Sequence, residues 1–282
     1  MLIFTEKKVL SSHLLPLIAT NKVIGFVPTM GALHVGHLSL IEQSLKDNDI
    51  TVVSIFVNPT QFNNREDLDK YPRTLDLDVK QIESLNKNVV VYAPSVDDIY
   101  DNSVASQNYN YDGLELQMEG KHRVGHFDGV GTIVKKLLEI VQPKRAYFGE
   151  KDFQQLQIVK KLVAKYKIPV TIIGCPIYRE VNGLAMSSRN ERLSIESRKK
   201  ASIIYKTLQE AKVLFQTHSA SETEEFVVKL FEKNPDFELE YFEIADEKNL
   251  LPCKRKNKNK KYRGFIAAFI DNVRLIDNIA FY

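Results

Sequence analysis

The chain has 282 residues, of which 44% are hydrophobic and 27% charged, a composition typical of a folded globular protein with a sizeable core. No run of residues approaches the roughly 20 consecutive apolar residues that a membrane-spanning helix needs, and the opening sequence MLIFTEKKVL is charged where a signal peptide is apolar. We therefore expect a cytoplasmic protein with no membrane partner.

The formal net charge of +3 is concentrated in one segment, residues 254–263, which reads KRKNKNKKYR and holds seven Lys or Arg and no acid. We interpret this segment first as a solvated hairpin loop. The two cysteines, Cys175 and Cys253, lie far apart and neither belongs to a Cys-x-x-Cys pair. They are expected to be packing residues, because neither a zinc site nor a disulfide framework is indicated.

The first two thirds of the chain alternate apolar β-type runs with helical patterns, which predicts parallel strands joined by crossover helices. Strands are predicted at residues 23–29, 51–58, 89–93, 145–149 and 170–175. Helices are predicted at residues 36–47, 68–85, 131–141 and 152–166. Because the strands are rich in Val, Ile and Phe without polar alternation, both faces of the sheet should be covered. The predicted fold class is α/β, with a doubly wound, Rossmann-like parallel sheet that binds ligands beyond the carboxyl ends of its strands.

After about residue 180 the pattern changes. Helices are predicted at residues 197–216 and 222–233, and strands at 239–244 and 264–270. We therefore predict a Rossmann-like domain at residues 1–180 and a smaller C-terminal α+β domain, acting as a lid, at residues 181–282.

The segment PTMGALHVGHLSLI, residues 28–41, is the strongest chemical signal in the chain. A glycine-containing turn leads into a helix, whose free N–H groups and positive dipole end suit a phosphate. His34 and His37 lie three residues apart, so both imidazoles can face one anion. Taken alone, the His-x-Gly-His pattern has a structural alternative, a chance arrangement on the surface.

This segment resembles the His-x-Gly-His signature of the nucleotidyltransferase superfamily, which includes the class I aminoacyl-tRNA synthetases. The resemblance implies that His34 and His37 contact ATP phosphates and stabilise the pyrophosphate as it leaves, with His37 also a candidate acid. It implies ATP contacts for Met30 and Gly31 as well. Preformed donors aimed at a developing anion suit this chemistry because they need not reorganise during the reaction.

Five further segments, in order, resemble the pantothenate synthetase family: SIFVNPTQF at 54–62, YPRTLDLD at 71–78, GHFDGV at 125–130, FGEKDFQQL at 148–156 and MSSRN at 186–190. The resemblance implies ATP-dependent condensation of pantoate with β-alanine to pantothenate through a pantoyl adenylate, releasing AMP and pyrophosphate. It also implies ATP as a substrate with Mg²⁺, no tightly bound prosthetic group, and a homodimer.

The second predicted strand ends in a turn with two amides, Asn58 and Gln61, and Pro59 fixes the bend between them. Amides suit recognition of a hydroxyl and a carboxylate, since each offers both a donor and an acceptor. The resemblance implies that Gln61 contacts pantoate and β-alanine, and we take Asn58 as a further substrate-binding residue. Ordinary turn chemistry is the alternative, and it explains Asn58 and Pro59 better than Gln61.

In FGEKDFQQL, Asp152 and Gln155 have the spacing of a helix capping box. This does not explain Lys151, whose ammonium would lie on the unfavourable side of the helix dipole unless an anion is bound there. The resemblance implies that Gly149, Glu150, Lys151 and Asp152 contact ATP, with Lys151 neutralising phosphate, and that Gln155 holds pantoate.

MSSRN combines two hydroxyls and an Arg, donors that suit a polyphosphate, in a loop that could close over the nucleotide. By itself the string describes an ordinary polar loop. The resemblance implies that Ser187, Ser188 and Arg189 bind ATP, and that Met186 and Tyr178 contact it through backbone groups. The residues implied to stabilise the departing pyrophosphate are His34, His37, Lys151 and Arg189.

The segment EGKHRVGHF, residues 119–127, gathers four polar side chains: Glu119, His122, Arg123 and His126. A metal site is conceivable there, but the spacing matches no standard ligand pattern, so no metal ligands are predicted. The segment also departs from the family, which usually has Pro where this chain has Val124. A second departure is Thr60, where Met is common before Gln61.

Two rival functions stay open. A nucleotidylyltransferase that stops after transferring the adenylyl group would share the histidine pair but need no site for an amine. An RNA-binding protein is indicated by the basic segment, which could neutralise several phosphates. That segment has one aromatic residue, Tyr262, for base stacking, and the C-terminal domain is small, so no nucleic-acid partner is expected.

Overall fold

The computed structural model describes residues 1–101 and 103–282. Contacts divide the chain into two compact units. The first unit comprises Met1–Glu115, Glu119–Glu150 and Gln155–Pro176, and the second comprises Leu116–Met118, Lys151–Gln154 and Ile177–Tyr282. The short segment Lys151–Gln154 therefore belongs by its contacts to the second unit, although the chain on either side of it belongs to the first.

The first unit is built on a six-stranded sheet. Its strands are β1 (Leu2–Phe4), β2 (Ile24–Thr29), β3 (Ile50–Ile55), β4 (Val90–Tyr92), β5 (Arg145–Gly149) and β6 (Thr171–Cys175). They lie in the order β1-β4-β3-β2-β5-β6, and every pair is parallel. From β2 the chain proceeds to β3 on one side and later to β5 on the other. The strand order therefore reverses between β2 and β5, the position at which such sheets bind ligands.

The helices that connect these strands are α1 (Lys7–Ala19), α2 (Val35–Asp47), α3 (Arg65–Asp69), α4 (Leu75–Leu85), α5 (Val96–Tyr100), α6 (Met118–His122), α7 (His126–Val141) and α8 (Phe153–Lys165). Phe26 and Val27 are neighbours in β2, so their side chains point to opposite faces of the sheet, and both are fully buried. Val27 belongs to a core cluster with Ile41 of α2 and Ile82 of α4. The prediction of a parallel sheet covered on both faces is confirmed.

The second unit contains α9 (Ile195–Lys200), α10 (Ser202–Thr217), α11 (Ala220–Glu232), β7 (Glu238–Asp246), β8 (Tyr262–Ile270) and β9 (Val273–Ala280). The strands form an antiparallel sheet in the order β7-β8-β9. Leu208 of α10, Val227 of α11 and Ile266 of β8 are buried in its core. The α+β architecture predicted for the C-terminal part is confirmed. The exposed basic residues 254–261 connect β7 to β8, which confirms the hairpin-loop interpretation for them. It was wrong for Tyr262 and Arg263, which are buried in β8.

Three helix predictions were wrong in their extent. The helix predicted at 68–85 is two helices, α3 and α4, because Pro72 removes a backbone donor and turns the preceding residue away from helical geometry. The helix predicted at 131–141 already begins at His126, after Gly125 with φ +80°. The helix predicted at 197–216 is two, α9 and α10, which adjoin at Ala201. The elements β1, α1, α5, α6 and β9 were not predicted.

Among the described residues, no helix is both long enough and apolar enough to span a membrane. Cys175 and Cys253 are free and buried. Burial raises the pKa of the Cys175 thiol to about 11, so it stays protonated and packs as a small apolar residue.

Gly131 in α7 is needed for close packing against Tyr111. A β-carbon at position 131 would overlap the Tyr111 hydroxyl oxygen, which donates a hydrogen bond to the Phe127 carbonyl at 2.9 Å in the buried core. We expect Gly131→Ala to lower the free energy of unfolding by about 1–3 kcal/mol, although alanine favours a helix over glycine by about 1 kcal/mol.

Urea denaturation of the unaltered protein, the two single variants Gly131→Ala and Tyr111→Phe, and the double variant measures this change in the free energy of unfolding. Removing the hydroxyl takes away the overlapping atom, so Gly131→Ala should cost little in the Tyr111→Phe background. An equal cost in both backgrounds would show that the overlap is not the cause.

Candidate functional site

The turn after β2 has an unusual backbone. Gly31 and Ala32 both have left-handed φ angles, +80° and +49°, and alanine rarely adopts this conformation because its β-carbon is strained there. The buried carboxylate of Asp78, in α4, holds the turn: it accepts hydrogen bonds from the backbone N–H groups of Ala32 at 3.1 Å and Leu33 at 2.7 Å. The Thr74 hydroxyl donates to the same carboxylate at 3.3 Å. A carboxylate from another helix therefore stabilises the turn that leads into α2.

His34 and His37 lie at the start of α2. His34 is the N-cap, and its Nδ1 accepts a hydrogen bond from the Gly36 N–H at 3.1 Å. Nδ1 of His37 accepts from the backbone N–H of His34 at 3.3 Å, and the two ring centroids are 4.0 Å apart. Because a nitrogen that accepts a hydrogen bond carries no proton, each neutral ring carries its proton on Nε2. The two rings thus have matched tautomers beside the positive end of a helix dipole.

Asn58 is almost fully buried after β3, and protein groups surround its side chain. Its Nδ2 donates to Gln61 Oε1 at 3.1 Å and to the Gly129 carbonyl at 3.2 Å. Its Oδ1 accepts from the Tyr100 hydroxyl at 2.5 Å and the Thr60 hydroxyl at 3.1 Å. Both ends of the amide therefore interact with the protein, and the amide fixes the orientation of Gln61.

Gln61 is held at two points. Its Oε1 accepts from Asn58, so its Nε2 is directed the other way, where it lies 3.1 Å from the Met30 sulfur. Its backbone carbonyl lies 2.8 Å from His126 Nδ1. The structure thus brings together Met30, at the end of β2, and Gln61, after β3. The preferred orientation of Gln61 presents a donor, the amide Nε2, on the side of Met30.

His126 and Arg123 support Gln61. A carbonyl oxygen only accepts, so His126 Nδ1 carries the proton and donates to Gln61, while its Nε2 accepts from the Arg123 guanidinium at 3.3 Å. Arg123 also forms an ion pair with Glu119 at 3.7 Å. Among residues 1–101 and 103–282, no three His, Cys, Asp or Glu side chains cluster as a metal site.

The two departures from the family pattern are accommodated locally. The Thr60 hydroxyl contacts both Asn58 and the Tyr100 hydroxyl, the latter at 3.0 Å. The backbone carbonyl of Val124 accepts a hydrogen bond from the Asn63 side chain at 2.5 Å. The buried environment raises the pKa of the Tyr100 phenol above its usual 10.0, so the hydroxyl stays protonated and remains a donor.

Gly149 is the last residue of β5 and Glu150 follows it; β5 pairs with β2 on the side opposite to β3. They therefore lie at the same carboxyl edge of the sheet as Met30 and the histidine turn. Gln155 is half-buried in the first turn of α8. These residues belong to the first unit, as do both histidines.

Lys151 and Asp152 belong to the second unit. The Lys151 ammonium lies 3.5 Å from the Asp152 carboxylate. This anion partly offsets the unfavourable position of a cation just before α8. Lys151 also lines a cavity of about 10 Å³ together with Ser187, Arg189 and Asp277. Lysine, hydroxyl and guanidinium groups therefore gather around one small polar cavity of the second unit.

The segment before Ser187 is a short hairpin. Arg179 pairs with Ala185, and the Met186 N–H donates to the Tyr178 carbonyl at 2.9 Å. These two backbone groups therefore satisfy each other, and a second bond, from the Glu180 N–H to the Leu184 carbonyl at 2.8 Å, closes the hairpin. Ser187 caps the 3₁₀ helix Ser188–Arg192 by accepting from the Arg189 N–H at 3.3 Å.

Sequence reasoning missed the supporting roles of four residues: Asp78, Tyr100, His126 and Asn190. Asn190 is buried and donates to the Glu180 carboxylate at 2.8 Å and the Ala185 carbonyl at 3.0 Å, which holds the hairpin closed. Asp78, His126 and Asn190 lie inside segments that resemble the family. The resemblance therefore marked their positions but implied no role for them. Tyr100 lies outside those segments and had no such signal.

A family model described as Pantoate-beta-alanine ligase matches residues 2–280. The chain belongs to the pantoate-beta-alanine ligase family. A pantothenate synthetase from Flavobacterium psychrophilum is 65% identical over 280 residues, which cover 99% of each chain. The prediction of the family from the sequence is confirmed.

Two solved structures are similar to this ligase. Pantothenate synthetase from Thermus thermophilus gives a TM-score of 0.91 at 38% identity, with 100% of both chains covered. A pantoate-beta-alanine ligase from Francisella tularensis, described as complexed with Beta-gamma ATP and Beta-alanine, gives a TM-score of 0.81 at 37% identity. That comparison covers 100% of this chain and 98% of the other. The protein is therefore an ATP-dependent ligase that joins pantoate to β-alanine, as predicted.

The Asp78 carboxylate should be required for the histidine turn. Asn in its place retains one acceptor oxygen, so one buried backbone N–H loses its partner, and we expect Asp78→Asn to lower the free energy of unfolding by about 1–3 kcal/mol. Because both histidines follow this turn, kcat/KM for ATP should fall roughly 10- to 100-fold.

Steady-state kinetics with Asp76→Asn as the matched control checks this prediction, since Asp76 is exposed in the same first turn of α4. The control should behave like the unaltered protein. ATP kinetics of Asp78→Asn within twofold of the control would contradict the role of the carboxylate.

Tyr100 should act on pantoate through Asn58 and Gln61. Tyr100→Phe removes the hydroxyl that donates to Asn58, and we expect KM for pantoate to rise about 10-fold, the worth of one hydrogen bond, with KM for ATP little changed. Tyr92→Phe is the matched control, because it also removes a buried hydroxyl, one that donates to Asp98 at 2.7 Å. An equal change in KM for pantoate in the two variants would contradict the proposed action of Tyr100 through Asn58 and Gln61.

Proposed function

We propose that this ligase works in two steps, through a pantoyl adenylate, at the carboxyl edge of the six-stranded sheet. The observation that carries the proposal is the pair of adjacent imidazoles at the start of α2, beside the β2/β5 reversal of strand order. The Francisella tularensis relative, described as complexed with Beta-gamma ATP and Beta-alanine, supports ATP and β-alanine as ligands here.

In the first step a pantoate carboxylate oxygen attacks the α-phosphorus of ATP. A bond forms between that oxygen and phosphorus, and the bond from the α-phosphorus to the bridging oxygen breaks, so that pyrophosphate leaves with the electron pair. A free carboxylate is a poor electrophile, whereas the mixed anhydride has a good leaving group. The main tasks for the protein are positioning the reactants and stabilising the charge on the departing pyrophosphate.

His34 and His37 are proposed to donate from Nε2 to phosphate oxygens, because their Nδ1 atoms already accept backbone hydrogen bonds. Because these bonds already hold the two rings in place, the rings need not reorganise during the reaction. Met30 and Gly31 are proposed to contact ATP in the same turn, and His37 is the candidate acid.

In the second unit, Lys151, Ser187 and Arg189 are proposed to bind the polyphosphate, since they line the same small cavity and therefore lie close to one another. Ser188, Asp152, Met186 and Tyr178 remain proposed ATP contacts, as do Gly149 and Glu150 of the first unit. A Lys and an Arg together supply point-charge and bidentate recognition of phosphate oxygens.

Gln61 is proposed to bind pantoate through Nε2. Because Asn58 donates to Oε1, Nε2 is the end of the Gln61 amide that faces Met30. Gln155 is proposed as a second pantoate ligand. Asn58 was predicted to bind substrate; since its amide hydrogen-bonds to protein groups at both ends, we propose that it acts by orienting Gln61.

In the second step the neutral amine of β-alanine attacks the carbonyl carbon of the adenylate. The C–N bond forms, the bond from carbon to the phosphate oxygen breaks, AMP leaves and the amine loses a proton. No covalent bond to the protein is needed in either step.

Mg²⁺ is proposed to enter with ATP as part of the substrate, since this ion keeps several waters and binds largely through substrate phosphates. The described residues gather no three-residue ligand cluster that would fit a resident metal, so no step is derived through one. The homodimer, the cytoplasmic location and the division of roles between a nucleotide-binding domain and a lid domain stay predictions, supported by the resemblance to the family.

The two-step reaction is tested by isotope exchange between pyrophosphate and ATP. We expect exchange that requires pantoate, and AMP release only when β-alanine is added. A nucleotidylyltransferase would release no AMP in response to an amine. Failure of pantoate to support exchange would overturn the proposal.

His37→Asn should lower the exchange rate about 100- to 1,000-fold, because Asn can replace the Nδ1 acceptor but supplies no donor at the position of Nε2. His13→Asn, in α1, is the matched control and should exchange normally.

A further inference from the structure

Two consecutive residues of the last strand, Asp277 and Asn278 of β9, are buried polar groups that no part of the proposed mechanism uses. Each is joined to a different segment proposed to bind ATP. Asp277 contacts the hairpin that precedes Ser187, and Asn278 contacts Lys151. All of these residues belong to the second unit.

Asp277 holds the hairpin through Arg179. Its two carboxylate oxygens accept from the guanidinium at 2.6 and 2.9 Å, a bidentate geometry that defines the direction of the Arg179 side chain. The guanidinium also donates to the Gly183 carbonyl at 3.0 Å and lies 3.8 Å from the centre of the Tyr205 ring. The hairpin is thus attached to β9 by an ion pair whose carboxylate is buried.

Asn278 holds the main chain of Lys151. Its Nδ2 donates to the Lys151 carbonyl at 2.9 Å. The other end of the amide, Oδ1, accepts from Arg263 Nη1 at 2.6 Å, and Arg263 Nε donates to the Glu247 carboxylate at 2.8 Å. Because Oδ1 is held by a cation, the amide cannot flip without losing a charge-assisted hydrogen bond, so its donor stays directed at Lys151.

The segment that follows Lys151 is attached to the same sheet. The Arg263 guanidinium lies 4.1 Å from the centre of the Phe153 ring, and Phe153 packs against Phe265 of β8 with ring centroids 5.9 Å apart. Residues 151–153 are therefore fixed at two points, a carbonyl and an aromatic ring, on the C-terminal sheet.

We propose that Asn278 is a positioning residue for Lys151. Asp277 and Asn278, neighbours on one strand, hold the hairpin and the Lys151 segment at a constant spacing, which keeps Lys151, Ser187 and Arg189 around one polyphosphate. The inference rests on the proposed function, in which Lys151 binds ATP. Asn278 itself touches no substrate and acts through the Lys151 main chain.

The test is Asn278→Asp, which retains the Oδ1 acceptor for Arg263 and removes the donor to Lys151. We expect KM for ATP in the pantoate-dependent exchange to rise about 10- to 100-fold, with KM for pantoate within twofold of the unaltered protein. Asn259→Asp, the same change at an exposed position in the basic loop, is the control for added charge and should leave both values unchanged.

A double-mutant cycle with Lys151→Ala separates positioning from general destabilisation. If Asn278 acts through Lys151, then Asn278→Asp should change KM for ATP less than twofold once Lys151 is Ala. An equal effect in both backgrounds, or an Asn278→Asp enzyme with unchanged KM for ATP, would overturn the inference. Should the Asp variant fail to fold, the neutral variant Asn278→Ser takes its place in the same cycle, with the same expected outcomes.

Calorimetric titration with MgATP gives a readout that does not depend on ligation. If the unaltered protein shows no pantoate-dependent exchange, the proposed function fails. In that case ATP affinity still decides the inference: weaker binding by Asn278→Asp that disappears in the Lys151→Ala background supports it, and equal binding contradicts it.

Discussion

The candidate site depends on one buried carboxylate. Asp78 accepts hydrogen bonds from the backbone of Ala32 and Leu33, and these bonds offset the strain of the left-handed conformation at Ala32. Without that turn, α2 would not begin where it does, and its first residues would not place His34 and His37 ring against ring. The site is therefore organised by a side chain that need not touch the substrate.

The same principle recurs at the other functional segments. Gln61 is oriented by a buried Asn58 and by a His126 whose tautomer is set by the carbonyl it contacts. In the second unit, Asn278 directs its donor at Lys151 because Arg263 holds the opposite end of the amide. In each case a fully satisfied polar group fixes a residue proposed to meet a ligand, which lets the site be preorganised rather than assembled during the reaction.

Much of the fold followed from local patterns. Five apolar strands and the helices between them were predicted close to their observed positions. Strands buried on both faces of a parallel sheet have continuous apolar sequences, which makes them recognisable. The errors have physical causes: Pro72 divides a helix whose apolar pattern continues across it, and β1 is a three-residue strand at the edge of the sheet with Leu2 and Ile3 exposed. The candidate site residues followed from motif resemblance, which pointed to the segments but not to the partners that hold them.

The sequence by itself determined the fold class, the family and the segments proposed to carry the chemistry, because periodicity and motif spacing are properties of neighbouring residues. Only the tertiary structure decided which side chains support them. Asp78 meets Ala32 across 46 residues, and Asn278 meets Lys151 across 127. Such pairings depend on the path of the whole chain and on the burial of each polar group, and no local pattern contains that information.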